Sequence, residues 1–110
     1  MLTPIKAAFV FAVTTLGNPA PCPMPQVNFD SDFIVEHCQP VAKPGNHAVG
    51  CYLPRAQTIV LRSQWDGSGN DDDVLKYEML RHVTQACLGR PFNQANATYT
   101  AVLRDYGVGQ

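Results

Sequence analysis

The sequence has little charge of either sign and lacks the patterns that most directly indicate a function. Charged residues make up 15% of the 110 positions and the formal net charge is −1, so nothing electrostatic favours nucleic acid as a partner. The chain contains no phosphate-binding glycine loop, no nucleophile elbow and no surface pattern of basic and aromatic residues. Its longest apolar run is far too short to cross a bilayer, so no stable membrane span is expected in the mature chain.

The cysteines also lack a pattern, because no two of them form the C-x-x-C pair of zinc ribbons and thioredoxin-like sites. An even number at scattered positions favours two disulfides over free buried thiols, and all three pairings remain open. Each disulfide would stabilise so small a domain by about 2–4 kcal/mol. The four residues concerned are Cys22, Cys38, Cys51 and Cys87.

The first 17 residues resemble a secretory signal peptide. Lys6 precedes an uncharged apolar run from Ala7 to Gly17, and cleavage near Gly17 would be compatible with this pattern. The alternative is an amphipathic helix or first strand of the folded domain. Together with the cysteines, the pattern predicts a secreted or periplasmic protein.

A length of 110 residues predicts one domain, and a hydrophobic content of 45% predicts that it is globular. The strands and helices predicted along the chain indicate the α+β class. After the leader, residues 18–46 are predicted to be a proline-rich extended segment and loop, and residues 47–110 to form the α+β core. Short antiparallel strands are expected as a hairpin over about 47–62. Upstream, Gln26–Phe29 reads as a short strand, and residues 33–38 as either a strand or one helical turn.

The hairpin is expected to pack on one main helix over about 72–88. Asp71, Asp72 and Asp73 suit the positive end of a helix, and Gly89 can end it. At about 100° per residue the apolar side chains form one stripe that faces the core. The stripe of the main helix consists of Leu75, Met79, Val83 and Ala86. A second, C-terminal helix is expected over 94–106.

Glu78 and His82 lie one helical turn apart beside that stripe, so the two side chains can be directed at one point. Such a pair can bind a metal ion or share a proton, which makes both residues candidate catalytic and metal-binding residues. The competing interpretation is a hydrogen bond or weak ion pair on the helix surface. No cofactor is expected unless zinc is bound at this point. The candidates for a third ligand are His37, His47 and Asp105.

The order of these elements resembles small zincin-like metallopeptidase domains over roughly residues 50–106. The resemblance is carried by a Gly-Cys-Tyr strand, a Thr-Ile-Val-Leu strand, a Gln-Trp-Asp loop and the helix Val-Leu-Lys-Tyr-Glu-Met-Leu-Arg-His-Val-Thr-Gln-Ala-Cys. In that family a strand runs beside a helix that carries His-Glu-x-x-His. Here Glu78 takes the place of the first histidine, Met79 that of the general base and His82 that of the second histidine. In the other register Tyr77 and Arg81 occupy the histidine positions. The resemblance therefore implies an altered and incomplete zinc site.

The sequence thus predicts a small exported, disulfide-containing domain that resembles a degenerate zincin. It is expected to be non-catalytic and to bind a protein or a cell-envelope component. One alternative is a divergent metal-dependent hydrolase, a peptidase that uses Glu78 and His82. Another is a structural protein of an envelope or a virion.

Overall fold

A three-stranded mixed sheet lies at the centre of the fold, which a computed structural model describes for residues 2–38 and 50–92. The strand order is β1-β3-β2, with β1 parallel and β2 antiparallel to β3. The predicted α+β class is confirmed. The strands are β1 (Gln26–Phe29), β2 (Gly50–Leu53) and β3 (Thr58–Leu61). The helices are α1 (Leu2–Thr15), α2 (Ser31–Phe33), continued by a π-helical turn (Ile34–Cys38), and α3 (Asn70–His82), continued by a π-helical turn (Val83–Cys87).

The predicted hairpin is confirmed, with Tyr52 opposite Ile59 across the β2–β3 pair. The turn between the strands closes through the Gln57 amide, which donates to the Pro54 carbonyl at 3.3 Å. Every residue of β3 is buried, because β3 has a neighbouring strand on each side and apolar residues cover both of its faces. Ile59 and Leu61 face the cluster that contains α3, and Val60 faces a second cluster with Ile34 and Cys38. The β-branched and apolar residues of β3 suit that central position. The short strand predicted at Gln26–Phe29 is the second neighbour.

The start of α3 is fixed to the sheet by Asp71. Two nitrogens of the Arg62 guanidinium donate to the Asp71 carboxylate, Nε to Oδ1 and Nη2 to Oδ2, each at 2.7 Å. These hydrogen bonds hold the pKa of Asp71 below its usual range. The Trp65 indole donates to the backbone carbonyl of Asp71 at 2.8 Å. Asp71 therefore connects the start of α3 to Arg62 through its side chain and to Trp65 through its backbone.

The apolar stripe of α3 faces the core, as predicted. Leu75, Met79 and Val83 are fully buried and share one cluster with Ile59 of β3. Ala86 is only half-buried. The helix widens to a π-helical turn from Val83 onward, and the wider turn rotates the residues that follow out of the α-helical phase.

The apolar run near the N-terminus forms α1, which packs against α3. Ala8 and Ala12 lie one turn apart and are both fully buried, because small side chains allow two helices to approach closely. The ammonium of Lys76 lies 5.6 Å from the ring centroid of Phe11. This arrangement agrees with the alternative interpretation, a helix of the folded domain, and leader cleavage stays a prediction. None of the helices in the described ranges has the length and apolar character needed to cross a membrane.

Two disulfides are present, as predicted, and they connect Cys22 with Cys87 and Cys38 with Cys51. The first joins the segment before β1 to the end of the α3 extension. The second joins the turn after α2 to β2. That turn resolves the ambiguity at residues 33–38 in favour of a helical conformation. The C-terminal helix predicted over 94–106 lies outside the described residues.

Candidate functional site

The His82 imidazole is fully buried at the end of α3, and both of its ring nitrogens have partners. Nδ1 lies 2.8 Å from the Tyr52 hydroxyl on β2. Nε2 lies 2.7 Å from the Pro23 carbonyl oxygen. One side chain of α3 therefore connects the helix to the hairpin and to the segment that precedes β1.

These partners define the protonation of the ring. A carbonyl oxygen can only accept, so Nε2 carries the hydrogen and donates it to Pro23. The neutral ring then accepts at Nδ1, and the Tyr52 hydroxyl is the donor. Burial holds the pKa of His82 below its ordinary value, although the hydrogen bond to the carbonyl opposes this shift. Burial likewise raises the pKa of Tyr52. The pair is therefore neutral on both sides near pH 7.

The Cys22–Cys87 disulfide lies beside this imidazole. One donor atom from each of Cys22, His82 and Cys87 falls within 4.8 Å of the other two. Both cysteines are half-buried, whereas the histidine is fully buried. We refer to Cys22, Pro23, Tyr52, His82 and Cys87 together as the histidine corner.

Glu78 occupies a different environment, one turn earlier on α3. Its carboxylate is buried and pairs with Arg81, with 3.6 Å between Oε1 and Nη1. That distance is too long for a hydrogen bond, and Oε1 has no hydrogen-bond partner among the described residues. Burial raises the pKa of Glu78 to about 7, while the charge of Arg81 acts in the opposite direction. The side chain is therefore a buried carboxyl that can change protonation near neutral pH.

The candidate residues named from the sequence are thus distributed over more than one place. Glu78 is paired with Arg81, and His82 belongs to the histidine corner. His37 is exposed, its Nε2 lies 3.7 Å from Oε2 of Glu36, and its ring lies at a tilt against that of Phe33. Within residues 2–38 and 50–92, the donor group close enough to share a metal ion contains neither Glu78 nor His37. His47 and Asp105 lie outside the described residues. The metal-binding role of Glu78 and His82 stays a prediction.

Sequence reasoning did not find the partners of His82. Tyr52 is 30 residues away along the chain and Pro23 is 59 away, so no local spacing relates them. One signal was present. Tyr52 and Cys51 are neighbours on a strand beside the helix, so their side chains lie on opposite faces of the sheet. A tyrosine that faces the core requires a partner for its hydroxyl. A buried histidine on the facing helix is the natural partner.

The histidine corner is suited to holding chain segments together. Its neutral hydrogen bonds and its disulfide link the segment before β1, the hairpin and α3 without any buried net charge. A carboxyl with the pKa of Glu78 can in addition take up or release a proton near pH 7.

Comparisons with protein-family profiles, with curated proteins and with solved structures give no significant match for this chain.

Proposed function

We propose that this chain is a small exported domain, stabilised by disulfides, that acts by binding a protein or a cell-envelope component. The observation that carries the non-catalytic part is the His82 imidazole, because both of its nitrogens are engaged in bonds within the chain. A zinc-binding histidine leaves one nitrogen for the metal. In the oxidised protein, both nitrogens of His82 instead serve the packing of the fold.

The two disulfides support the exported part of the proposal. Structural disulfides persist in secreted and periplasmic proteins and are rare in the cytosol of most organisms. Both disulfides connect separate elements of the fold, so oxidation would stabilise the domain once it has left the cytosol.

The similarity to a zincin with an altered motif is part of the same proposal. The packing of α3 across β2 and β3 supports it, since that family also places a strand beside its active-site helix. In this proposal Glu78 and His82 occupy the positions of the two histidines. Glu78 is held by Arg81 and His82 by the histidine corner.

Metal analysis of the oxidised protein tests the non-catalytic part. Protein purified and dialysed without chelator is expected to contain far less than one metal ion per chain, and to show no peptide hydrolysis that a chelator inhibits. Stoichiometric metal that is lost in His82→Gln would overturn this part of the proposal.

Fractionation of expressing cells tests export, and N-terminal sequencing of the exported protein tests the leader. A new N-terminus between about Asn18 and Cys22 would support cleavage. Cleavage there would also remove α1 from its contact with α3, so the cleaved and intact proteins should differ in stability. Protein found only in the cytosol with its cysteines reduced would contradict export.

Binding is tested by sedimenting the oxidised protein with purified cell-envelope fractions. The matched control is the same chain after reduction and alkylation, in which the disulfide-dependent fold is weakened. Sedimentation of the oxidised form alone is the expected result. Equal sedimentation of both forms would indicate non-specific adsorption, and recovery in assembled particles would favour the envelope or virion structural protein.

A metal-dependent hydrolase is the second candidate, and Glu78 is the observation that favours it. A buried carboxyl with a pKa of about 7 and one oxygen without a hydrogen bond among the described residues has properties that a general base requires. Hydrolysis of a peptide substrate that is inhibited by chelator and abolished in Glu78→Gln would support this candidate over the first.

A further inference from the structure

The histidine corner brings together three side chains of the kinds that bind zinc. Zinc is bound in proteins mainly by cysteine sulfur and histidine nitrogen. Cys22, His82 and Cys87 each place a donor atom within 4.8 Å of the others, and no other group of three is this compact in the parts of the chain that the structure describes. In the oxidised protein the two sulfurs are bonded to each other and are not thiolates.

We propose that reduction of the Cys22–Cys87 disulfide converts this corner into a three-ligand zinc site formed by the two thiolates and the His82 imidazole. The site goes beyond the binding function proposed above, because it belongs to the reduced chain rather than to the oxidised one. It also differs from the zincin-like pair, since Glu78 is not a ligand.

The required rearrangement is small. With zinc–sulfur and zinc–nitrogen bonds of about 2.3 and 2.0–2.1 Å, the ligands of a tetrahedral zinc lie about 3.5–3.8 Å apart. A ring nitrogen of His82 lies no more than 4.8 Å from either sulfur, so it must approach by about 1 Å at most, and the sulfurs must separate by roughly 2 Å. Cys22 lies within the proline-rich segment, and Cys87 is the last residue of the α3 extension. Both residues are half-buried, so each keeps part of its surface in contact with solvent.

His82 can become a ligand by exchanging its tautomer. Nε2 faces Pro23, the residue next to Cys22, and zinc would replace the Pro23 carbonyl as the partner of this nitrogen. The ring hydrogen then lies on Nδ1 and donates to the Tyr52 oxygen, which changes from donor to acceptor at the same contact. Histidine ligands of metals usually donate a hydrogen bond from the N–H of their second ring nitrogen, so Tyr52 is already in place to orient the ring.

Reduction of the Cys22–Cys87 disulfide requires a reductant, which we take to be a thiol compound. Two thiols donate two electrons and two protons and leave as a disulfide, while the Cys22–Cys87 bond breaks and each sulfur gains a hydrogen. Zinc binding then releases those two protons as the thiolates form. In a reducing compartment the corner holds zinc, and in an oxidising one it holds the disulfide. A fourth coordination position remains for water.

The second disulfide supplies an internal control. Cys38 and Cys51 form an equivalent pair, and His37 is the sequence neighbour of Cys38. Within residues 2–38 and 50–92, however, these three side chains do not form a group close enough to share a metal ion. Each disulfide therefore has a histidine near one of its cysteines in sequence. Only at Cys22 and Cys87 does the histidine also lie close enough in space to share a metal ion with both sulfurs.

The experiment titrates the 110-residue chain, reduced under anaerobic conditions, with cobalt(II) and then zinc. Tetrahedral cobalt with thiolate ligands gives a characteristic absorption, and zinc should displace it at one ion per chain. The Cys38→Ser/Cys51→Ser variant is expected to behave like the parent. The Cys22→Ser/Cys87→Ser variant should lose the signal. Tyr52→Phe, which leaves all three ligands in place, should weaken zinc binding by about 10–100-fold, and His82→Gln by more than that.

Several outcomes would overturn the proposal. These are equal binding by Cys22→Ser/Cys87→Ser, equal binding by the reduced chain in urea, equally tight binding by the oxidised protein, or no stoichiometric binding at all. Should the reduced chain be unfolded without metal, zinc must restore its circular dichroism spectrum, and failure to do so counts against the site. The proposed function is tested on oxidised protein, so a metal-free oxidised form with a zinc-binding reduced form would support both proposals.

Discussion

The Tyr52 hydroxyl donates a buried hydrogen bond of 2.8 Å to Nδ1 of His82, and this contact joins the hairpin to the helix. The two rings meet edge to face, with centroids 5.5 Å apart and planes inclined by 69°. The opposite nitrogen of the same ring binds the Pro23 carbonyl. The imidazole is therefore oriented from both sides, and changes at Tyr52 should be felt at His82.

Tyr52→Phe should lower the free energy of unfolding by about 1–3 kcal/mol. The substitution retains the ring but leaves Nδ1 of a fully buried histidine without a donor. Urea denaturation of the oxidised protein measures the change.

A double-mutant cycle with His82→Gln controls for loss of packing. In the His82→Gln background, Tyr52→Phe should cost markedly less than in the parent. Strictly additive effects would show that the hydrogen bond does not couple the two residues.

Glu78→Gln should change stability in a pH-dependent way. Because the pKa of Glu78 is raised from 4.5 to about 7 on folding, the folded state keeps a proton that the unfolded state releases between those values. Its stabilising contribution is complete below about pH 4.5 and is lost as pH rises through 7. Glutamine imitates the protonated form. The variant should therefore match the parent near pH 4.5 and exceed its stability by up to about 3 kcal/mol at pH 8.

Glu36→Gln is the matched control, since the Glu36 side chain is exposed and the same substitution there should stay within about 0.5 kcal/mol of the parent at either pH. His82 also titrates on unfolding, but it is present in both proteins and cancels in the difference. A stability gap that does not widen with pH would contradict the raised pKa of Glu78.

Removal of the two disulfides should have unequal effects. The Cys22–Cys87 loop spans 65 residues and the Cys38–Cys51 loop spans 13. On the chain-entropy model, replacing the first pair by serines costs about 4 kcal/mol and the second about 3 kcal/mol. The first loss should be larger still, because that disulfide also holds Pro23 against His82. Thermal unfolding of the two double variants makes the comparison, and a greater loss for the Cys38–Cys51 pair would contradict it.

Gly50→Ala should destabilise the protein by about 1–3 kcal/mol. A Cβ at Gly50 would lie 2.8 Å from Cγ1 of Val74 and 3.2 Å from the Val60 carbonyl oxygen, so α3 could not keep its present distance from β2. Val74→Ala removes the nearest clashing group and should recover part of the loss. Absence of any recovery would place the strain elsewhere.

The sequence predicted the elements whose signal is local. The apolar period of α3 and the run Thr58–Leu61 each depend on consecutive residues, and the structure contains both. The two disulfides followed from the even number of cysteines, but their pairing did not, because it depends on how distant segments meet. The spacing of apolar residues also could not predict the π-helical turn after His82. This turn explains why Ala86 is not fully buried.

The contacts around His82 could not be predicted for a similar reason. They join α3 to residues 30 and 59 positions away, and nothing in the spacing of Glu78 and His82 distinguishes a surface pair from two separately held groups. The parallel pairing of β1 with β3 raises the same difficulty, since Gln26–Phe29 could be identified as a strand without any indication of its neighbour. For α1, the signal-like composition and the helix that packs against α3 in the structure depend on the same apolar residues.

The positions of the disulfides determine what a proteolytic nick would do to this molecule. The turn at residues 54–57 is exposed throughout, which makes it an accessible site for a protease. A cut there leaves Cys38 and Cys51 in the same fragment, whereas Cys22 and Cys87 fall in different ones. The nicked protein would therefore migrate as one species on a non-reducing gel and as two after reduction, with a single covalent link between its halves.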